Sequence, residues 1–482
     1  MSSRTYLTTT LPYVNADPHI GFALEVVQAD ATARYERLIG NEVFFNIGTD
    51  EHGQKIWQKA LSEKKEPQAY VDEQVEQFAA LKEGLNLSYD NFIRTTDARH
   101  IAAAQEFWRR CAAAGDIYKK EYIVKYCVGC ELEKTDSELE DGKCPLHPNL
   151  ELELREEENY FFRFSKYADF LLSLYHDERF VLPQSRRNEV RSFVESGLQD
   201  FSISRLAEKM PWGIPVPDED DASLPAGRQV MYVWFDALVN YVSAIGWPDN
   251  QSEFERWWPV IQFAGKDNTR QQAAMWQAML KSAGLTPSKQ IVIHGFITSG
   301  GAKMSKSSGN VVDPLAIVSE YGTDALRYYL LREVGPFEDS DFTLTKFKES
   351  YNGNLANGLG NLVSRVMKMA ETNLPVAEVR LPTGAEVGLP QEYQNAMEQY
   401  RYNDAMDVVW KKIGEADARI AEAEPFKLVK TDADAGKKII TELVHALVEI
   451  AYLLTPLLPA TADAIRSAIS ANHLSTPLFM RK

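Results

Sequence analysis

Two lysines, Lys303 and Lys306, stand three residues apart in the run Gly300-Gly301-Ala302-Lys303-Met304-Ser305-Lys306-Ser307-Ser308-Gly309-Asn310. The run is too polar for a core and too rich in glycine and serine for a stable helix, so it reads as a cationic loop. Backbone N–H groups and two ammonium groups can close over a polyphosphate and stabilise negative charge growing on a leaving group. An ordinary surface loop is the competing reading. A second point of chemistry is His19, in the first turn of a helix-patterned segment, where unpaired N–H groups and the helix dipole favour a phosphate. Gly21 beside it carries no side chain, which lets a base or ribose approach the backbone. A third is Asp50, just past the strand-like run Val43-Phe44-Phe45-Asn46-Ile47-Gly48, where open α/β sheets place their ligands. It is a candidate partner for a substrate ammonium, or else the cap of the next helix.

The cysteines make a separate constellation. Cys127-Val128-Gly129-Cys130 and Cys144-Pro145-Leu146-His147 each hold two ligand-type residues with two between them. Three thiolates and an imidazole so spaced can surround a tetrahedral ion, and zinc is the expected metal. Four protein ligands leave no position for water, so one structural Zn2+ per chain is expected. Cys111, the fourth cysteine, reads as a small helical residue.

The elements that must position these groups are legible in part. Arg4-Thr5-Tyr6-Leu7-Thr8-Thr9-Thr10 is β-branched and aromatic and reads as a buried strand. Asp17 as N-cap and Pro18 as first helical residue then open a helix, in which Ile20, Ala23, Leu24, Val27, Ala31, Tyr35 and Leu38 recur at helical spacing. Strand, turn and helix make a βα unit. Residues 116–225, which hold the cysteine pairs, interrupt the alternation. Val230-Met231-Tyr232-Val233-Trp234-Phe235-Asp236-Ala237-Leu238-Val239-Asn240-Tyr241 returns to strand with aromatics leading into a helix, Val260-Ile261-Gln262-Phe263-Ala264 is strand-like, and Ile291-Val292-Ile293-His294-Gly295 is a last strand leading to the lysine loop. From residue 346 onward apolar positions recur every three or four residues without strand signals, so a helical bundle is expected.

With 482 residues, several domains are expected. No apolar run approaches membrane-spanning length and no signal pattern opens the chain, so a cytoplasmic location without a membrane partner is the default. The net charge of −17 argues against nucleic acid as a partner, but it is uneven. Residues 131–160 hold eleven acidic against three basic residues, whereas 301–370 are balanced. Asn357, Asn361 and Arg365, four residues apart, share a helix face whose amides and guanidinium can read unpaired base edges.

Lys303-Met304-Ser305-Lys306-Ser307 resembles one signature of the class I aminoacyl-tRNA synthetases, and His19-Ile20-Gly21-Phe22 resembles the other, His-Ile-Gly-His, with Phe22 in place of its second histidine. Thr10-Leu11-Pro12-Tyr13-Val14-Asn15, Gly48-Thr49-Asp50-Glu51-His52-Gly53 and Asn91-Phe92-Ile93-Arg94-Thr95-Thr96-Asp97 narrow the resemblance to the methionyl-tRNA synthetase family of bacterial type. The resemblance implies a Rossmann-type doubly wound parallel sheet in two halves (1–115 and 226–298), split by a zinc-bearing connective insertion (116–225). A signature-loop and stem-contact region (299–345) and an all-α anticodon-binding bundle (346–482) complete the implied organisation. It further implies catalytic roles for His19, Lys303 and Lys306, and ATP contacts by these with Gly21 and Ser305. A methionine pocket would be formed by Leu11, Tyr13, Asp50, Trp234, Ala237, Leu238, Tyr241, Asn268 and Gln272. Asn268 and Gln272 stand where an apolar residue and a histidine are common. Anticodon contacts fall on Asn357, Asn361, Arg365 and Phe426, the last replacing a stacking Trp. The implied reaction joins methionine, ATP with Mg2+, and methionine tRNA, initiator and elongator alike, through methionyl-adenylate. A monomer is expected, since the chain ends soon after the bundle. Two alternatives stay open on these residues: another class I synthetase, or a zinc-containing RNA-binding relative without catalysis.

Overall fold

The computed structural model describes residues 3–482 except 131, 135–138, 218–228, 304–310 and 376–387. Its first strand, β1 (Arg4–Thr9), is buried from Thr5 onward and is central in a parallel sheet of six. On one side β1 pairs with β2 (Glu42–Thr49), which pairs with β3 (Asn91–Arg94). On the other side it pairs with Val260–Gly265, followed by Gln290–His294 and Val181–Leu182. The chain therefore leaves β1 in opposite directions, and a crevice opens at the carboxyl ends of the strands on either side of it.

One apolar core packs α1 (Ile20–Leu38) on the sheet and runs on into the C-terminal helices. A second, on the other face, holds the helices Ala98–Ala113 and Trp276–Ser282. The helix expected to open with Asp17 and Pro18 instead starts at Ile20, with His19 as its cap. The imidazole reaches Gly21 N, and that bond decides the boundary.

Within 116–225, the antiparallel strands Ile117–Cys127 and Glu153–Phe162 form a long arm with the cysteine pairs at its tip. The same span also supplies Val181–Leu182, the edge strand of the main sheet, so the chain returns to the central sheet in mid-excursion. Beyond Ser340–Phe342 the described residues are helical, apart from turns. Tyr351–Gly360, with three glycines, widens into π-helical turns before the helix Asn361–Asn373.

A fully buried guanidinium joins the bundle to the sheet domain. Arg327 donates to the carbonyls of Leu457, Leu85 and Pro456 at 2.9, 3.1 and 3.2 Å and pairs with Asp30 of α1 at 2.8 Å. Asp30 also accepts from Arg34 Nε and from Ser88 N and Oγ. Burial opposes its ionisation, but Arg327 and Arg34 outweigh it and hold the carboxyl below its ordinary range. Arg327→Met leaves Asp30 buried with one cation fewer, and is expected to destabilise the chain by about 3–5 kcal/mol. The denaturant midpoint reads this, and a shift equivalent to under about 1 kcal/mol would show that the pair is not a joint.

Candidate active site

The strand ends β1, β2 and Val260–Gly265 deliver Thr10-Leu11-Pro12-Tyr13, Asp50, and Asp267 and Asn268 to one cleft of about 530 Å³. Leu11, Tyr13, Asp50, Trp234, Ala237, Leu238, Tyr241, Asn268 and Gln272 all line it, together with His19 and Gly21. The backbone holds the first two segments in register: Val14 N donates to Asp50 O at 3.2 Å, and Asp50 N to Pro12 O at 2.9 Å. Gly53, at φ 115°, is required here, because a Cβ would lie 2.3 Å from the Tyr13 hydroxyl. An acidic side chain, two tyrosines and a tryptophan thus share one concavity, a setting for a small cation with an apolar tail.

His19 Nδ1 accepts from Gly21 N at 3.1 Å, which places the ring proton on Nε2. Burial pushes its pKa below the ordinary imidazole value, with Asp267 opposing, so the ring is a neutral N–H donor at neutral pH. Phe22 cannot share this task. Its ring meets Phe78 edge-on at 5.7 Å, and both line the cleft as an apolar wall.

The lysine loop starts from a tight hairpin. Ile297–Ser299 pairs with Ala302–Lys303 across Gly300 and Gly301, both at positive φ (63° and 78°). Asp341 Oδ1 fastens the hairpin by accepting from Gly301 N and Thr298 Oγ1 at 2.8 and 2.9 Å. Lys303 ends the described part of the loop; Ser305 and Lys306 lie outside the described residues.

Several buried groups of the cleft carried little signal in the sequence. Glu25, on the buried side of α1, accepts from Thr10 N and Oγ1 at 2.7 and 2.5 Å and meets His294 Nε2 at 2.9 Å. His294 Nδ1 faces the Gly295 carbonyl at 2.7 Å, so both ring nitrogens meet acceptors and both must donate. Burial opposes that charge, but the Glu25 contact outweighs it and raises the His294 pKa. A carboxylate in the apolar run Ala23-Leu24-Glu25-Val26-Val27 was the available clue. Under the cleft, fully buried Asp236 takes His52 Nδ1 at 2.6 Å and His100 Nε2 at 2.8 Å. That clamp ties the segment after Asp50 to the helix Val233–Leu238, which carries Trp234, Ala237 and Leu238.

The four metal-type residues converge as their spacing requires. One donor atom from each of Cys127, Cys130, Cys144 and His147 lies within 4.8 Å of every other. Contacts of 3.1–3.9 Å join His147 Nδ1 to the three sulfurs, and Cys130 and Cys144 are 3.3 Å apart. The edges of a tetrahedron around Zn2+ are about 3.3–3.8 Å, so this donor set can hold such an ion. Gly129 is needed beneath it, since a Cβ would lie 2.5 Å from the His147 ring. Cys130 and Tyr126 also line the cleft, and the Tyr126 hydroxyl donates to Gln54 Oε1 at 3.1 Å, so the knuckle borders the site.

Asn357, Asn361, Arg365 and Phe426 lie elsewhere, on the bundle, and all are exposed. Arg365 pairs with Asp417 at 3.0 Å. Among the described residues, no helix is long and apolar enough to cross a membrane.

Comparison with known proteins gives a consistent match. The family model described as tRNA synthetases class I (M) matches residues 5–151 and 136–367. A methionine–tRNA ligase of Nostoc sp. is 42% identical over 95% of this chain and 88% of its own length. That of Thermotoga maritima is 38% identical over 96% and 75%. Among solved structures, Mycobacterium tuberculosis methionyl-tRNA synthetase in complex with methionyl-adenylate superposes with a TM-score of 0.87 at 35% identity, covering 99% of this chain and 97% of that one.

Proposed function

Because this chain belongs to the methionyl-tRNA synthetases, a class I family, and is a methionine–tRNA ligase, we propose that methionine and ATP meet in the cleft at the carboxyl ends of the sheet. The observation that supports this most is the convergence of four sequence segments, 10–22, 50–53, 234–241 and 265–272, on that one cleft. Asp50 anchors the substrate ammonium, while Leu11, Tyr13, Trp234, Ala237, Leu238 and Tyr241, with Asn268 and Gln272, wall the thioether chain. A methionine carboxylate is already an ionised nucleophile, so the first step needs no general base. Its oxygen attacks the α-phosphorus, the bond to the β-phosphate breaks, and pyrophosphate leaves. His19 Nε2–H and the lysine loop (Lys303, Ser305, Lys306) hold the phosphates in line and stabilise the departing charge, while Gly21, without a side chain, leaves ATP room against the backbone. Mg2+ bound with ATP supplies further neutralisation. The 3′-terminal ribose hydroxyl of methionine tRNA then attacks the carbonyl, and AMP departs.

Exposed Asn357, Asn361, Arg365 and Phe426 are the proposed anticodon contacts, by amide and guanidinium hydrogen bonds and by stacking. Arg365→Ala is expected to lower kcat/KM for tRNA by about 5- to 150-fold while methionine-dependent ATP–pyrophosphate exchange is unchanged. Equal losses in both assays would remove Arg365 from tRNA recognition.

The metal of the knuckle is proposed to be one structural Zn2+. Elemental analysis is expected to give one zinc per chain, falling well below one in Cys144→Ser; full retention in the variant would show that Cys144 is not a ligand. A monomer in the cytoplasm, where translation takes place, completes the reading, and size in solution tests the first of these.

A further inference from the structure

Under the cleft, buried polar groups form a chain with a fixed direction. It starts at the backbone N–H of Ser288, which donates to Gln277 Oε1 at 3.0 Å. A backbone N–H cannot reverse its role, so Nε2 is the Gln277 atom that meets Ser288 Oγ, at 3.1 Å. Ser288 Oγ gives its single proton to Gln262 Oε1, an O···O contact of 2.5 Å. Gln262 must then turn Nε2 toward Gln272 Oε1, 2.8 Å away. The last carboxamide thereby turns its N–H groups beyond the chain, toward the cleft side and the Tyr241 phenol oxygen, whose pKa the contact lowers. Gln272 lines the cleft beside Tyr241, whose phenol meets the Gln272, Gln262 and Asn240 carboxamides. Gln262, Gln272 and Gln277 are at most 1% exposed, so water cannot reset the order.

We propose that this chain fixes Gln272 as an N–H donor in the floor of the methionine pocket, and that Gln262 and Ser288 are positioning residues for recognition of the thioether sulfur. The inference rests on the pocket assignment made above. A thioether sulfur accepts a hydrogen bond weakly and a methylene does not accept one, so a fixed donor favours methionine over norleucine, its isostere. A reversed carboxamide, presenting oxygen, gives no such preference. No member of the chain titrates. Burial holds the Tyr241 phenol well above its ordinary range, against the carboxamide contacts. Glu25, the nearby carboxylate, is paired with His294, and Thr8 and Ile291, opposite Gln262 on the flanking strands, do not ionise.

The test is ATP–pyrophosphate exchange with methionine and with norleucine from about pH 5.5 to about 8.5. The wild-type selectivity ratio is expected to be flat. In Gln262→Glu, the ionised carboxylate can only accept, so Gln272 must turn its Nε2 inward and present oxygen to the pocket. Protonated, the introduced carboxyl donates to Gln272 Oε1 and the native order returns. Selectivity in this variant is therefore expected to approach wild type at low pH and to fall about three- to tenfold as pH rises, the scale of one neutral hydrogen bond. Ser288→Ala breaks the chain and lowers the ratio without a pH dependence. Wild-type selectivity at every pH in both variants overturns the proposal, as does a titrating ratio in the wild type. Should Gln262→Glu fail to fold, Ser288→Ala decides alone, an unchanged ratio being the contrary result. A wild-type chain without methionine-dependent exchange would instead overturn the pocket assignment itself.

Discussion

Replacing Lys306 by alanine is expected to slow methionyl-adenylate formation by about a hundred- to a thousandfold, the usual cost of removing a preorganised group from developing charge. Equilibrium binding of methionine is expected to change by less than about twofold, because the lysine meets charge that grows only in the transition state. The hairpin from which the loop springs supports this assignment. Gly300 and Gly301 turn the chain with positive φ, Asp341 fastens the turn, and Gly295, Phe296 and Ile297 line the cleft just before it. The segment leading into the hairpin and His19 thus border the same cleft. Pre-steady-state adenylate formation and methionine titration separate the two quantities. Equal losses in both would make Lys306 a binding residue.

Asp50→Ala is the second large effect. Removing one partner of a buried, hydrogen-bonded charge pair costs about 2–5 kcal/mol, so kcat/KM for methionine is expected to fall about 30- to several-thousandfold. The fold is expected to survive, because the backbone of Asp50, through its N–H and carbonyl, continues the sheet register beside Pro12 and Val14. Asp50→Asn keeps the shape and loses the charge, and the same order of loss identifies the charge as the cause. An unchanged methionine KM in Asp50→Asn would remove the ammonium anchor.

The parts of this molecule that follow from local periodicity were legible in the sequence. β1 carries the β-branched and aromatic residues of a buried strand, α1 repeats its apolar face, and two Cys/His pairs announce a tetrahedral donor set. What lies across long separations was not. Glu25 and His294 are 269 residues apart, and neither position shows its partner. Val181–Leu182 is too short to express a period, so its return to the main sheet could not be read. His19 displaced Asp17 as the cap because an imidazole nitrogen can also accept from an N–H two residues on, a role the usual capping preferences rank low. Phe22 and Gln272, departures in the sequence, acquired physical meanings in the fold: an apolar wall against Phe78, and the end of a directed carboxamide chain.

Methionine-dependent ATP–pyrophosphate exchange, measured with purified chain and Mg2+ against leucine, isoleucine, valine and homocysteine, tests the central claim most directly. The expected result is exchange strongly favouring methionine, abolished or nearly so in Lys306→Ala. Exchange favouring another amino acid, or none with any of them from folded, zinc-loaded protein, would contradict it.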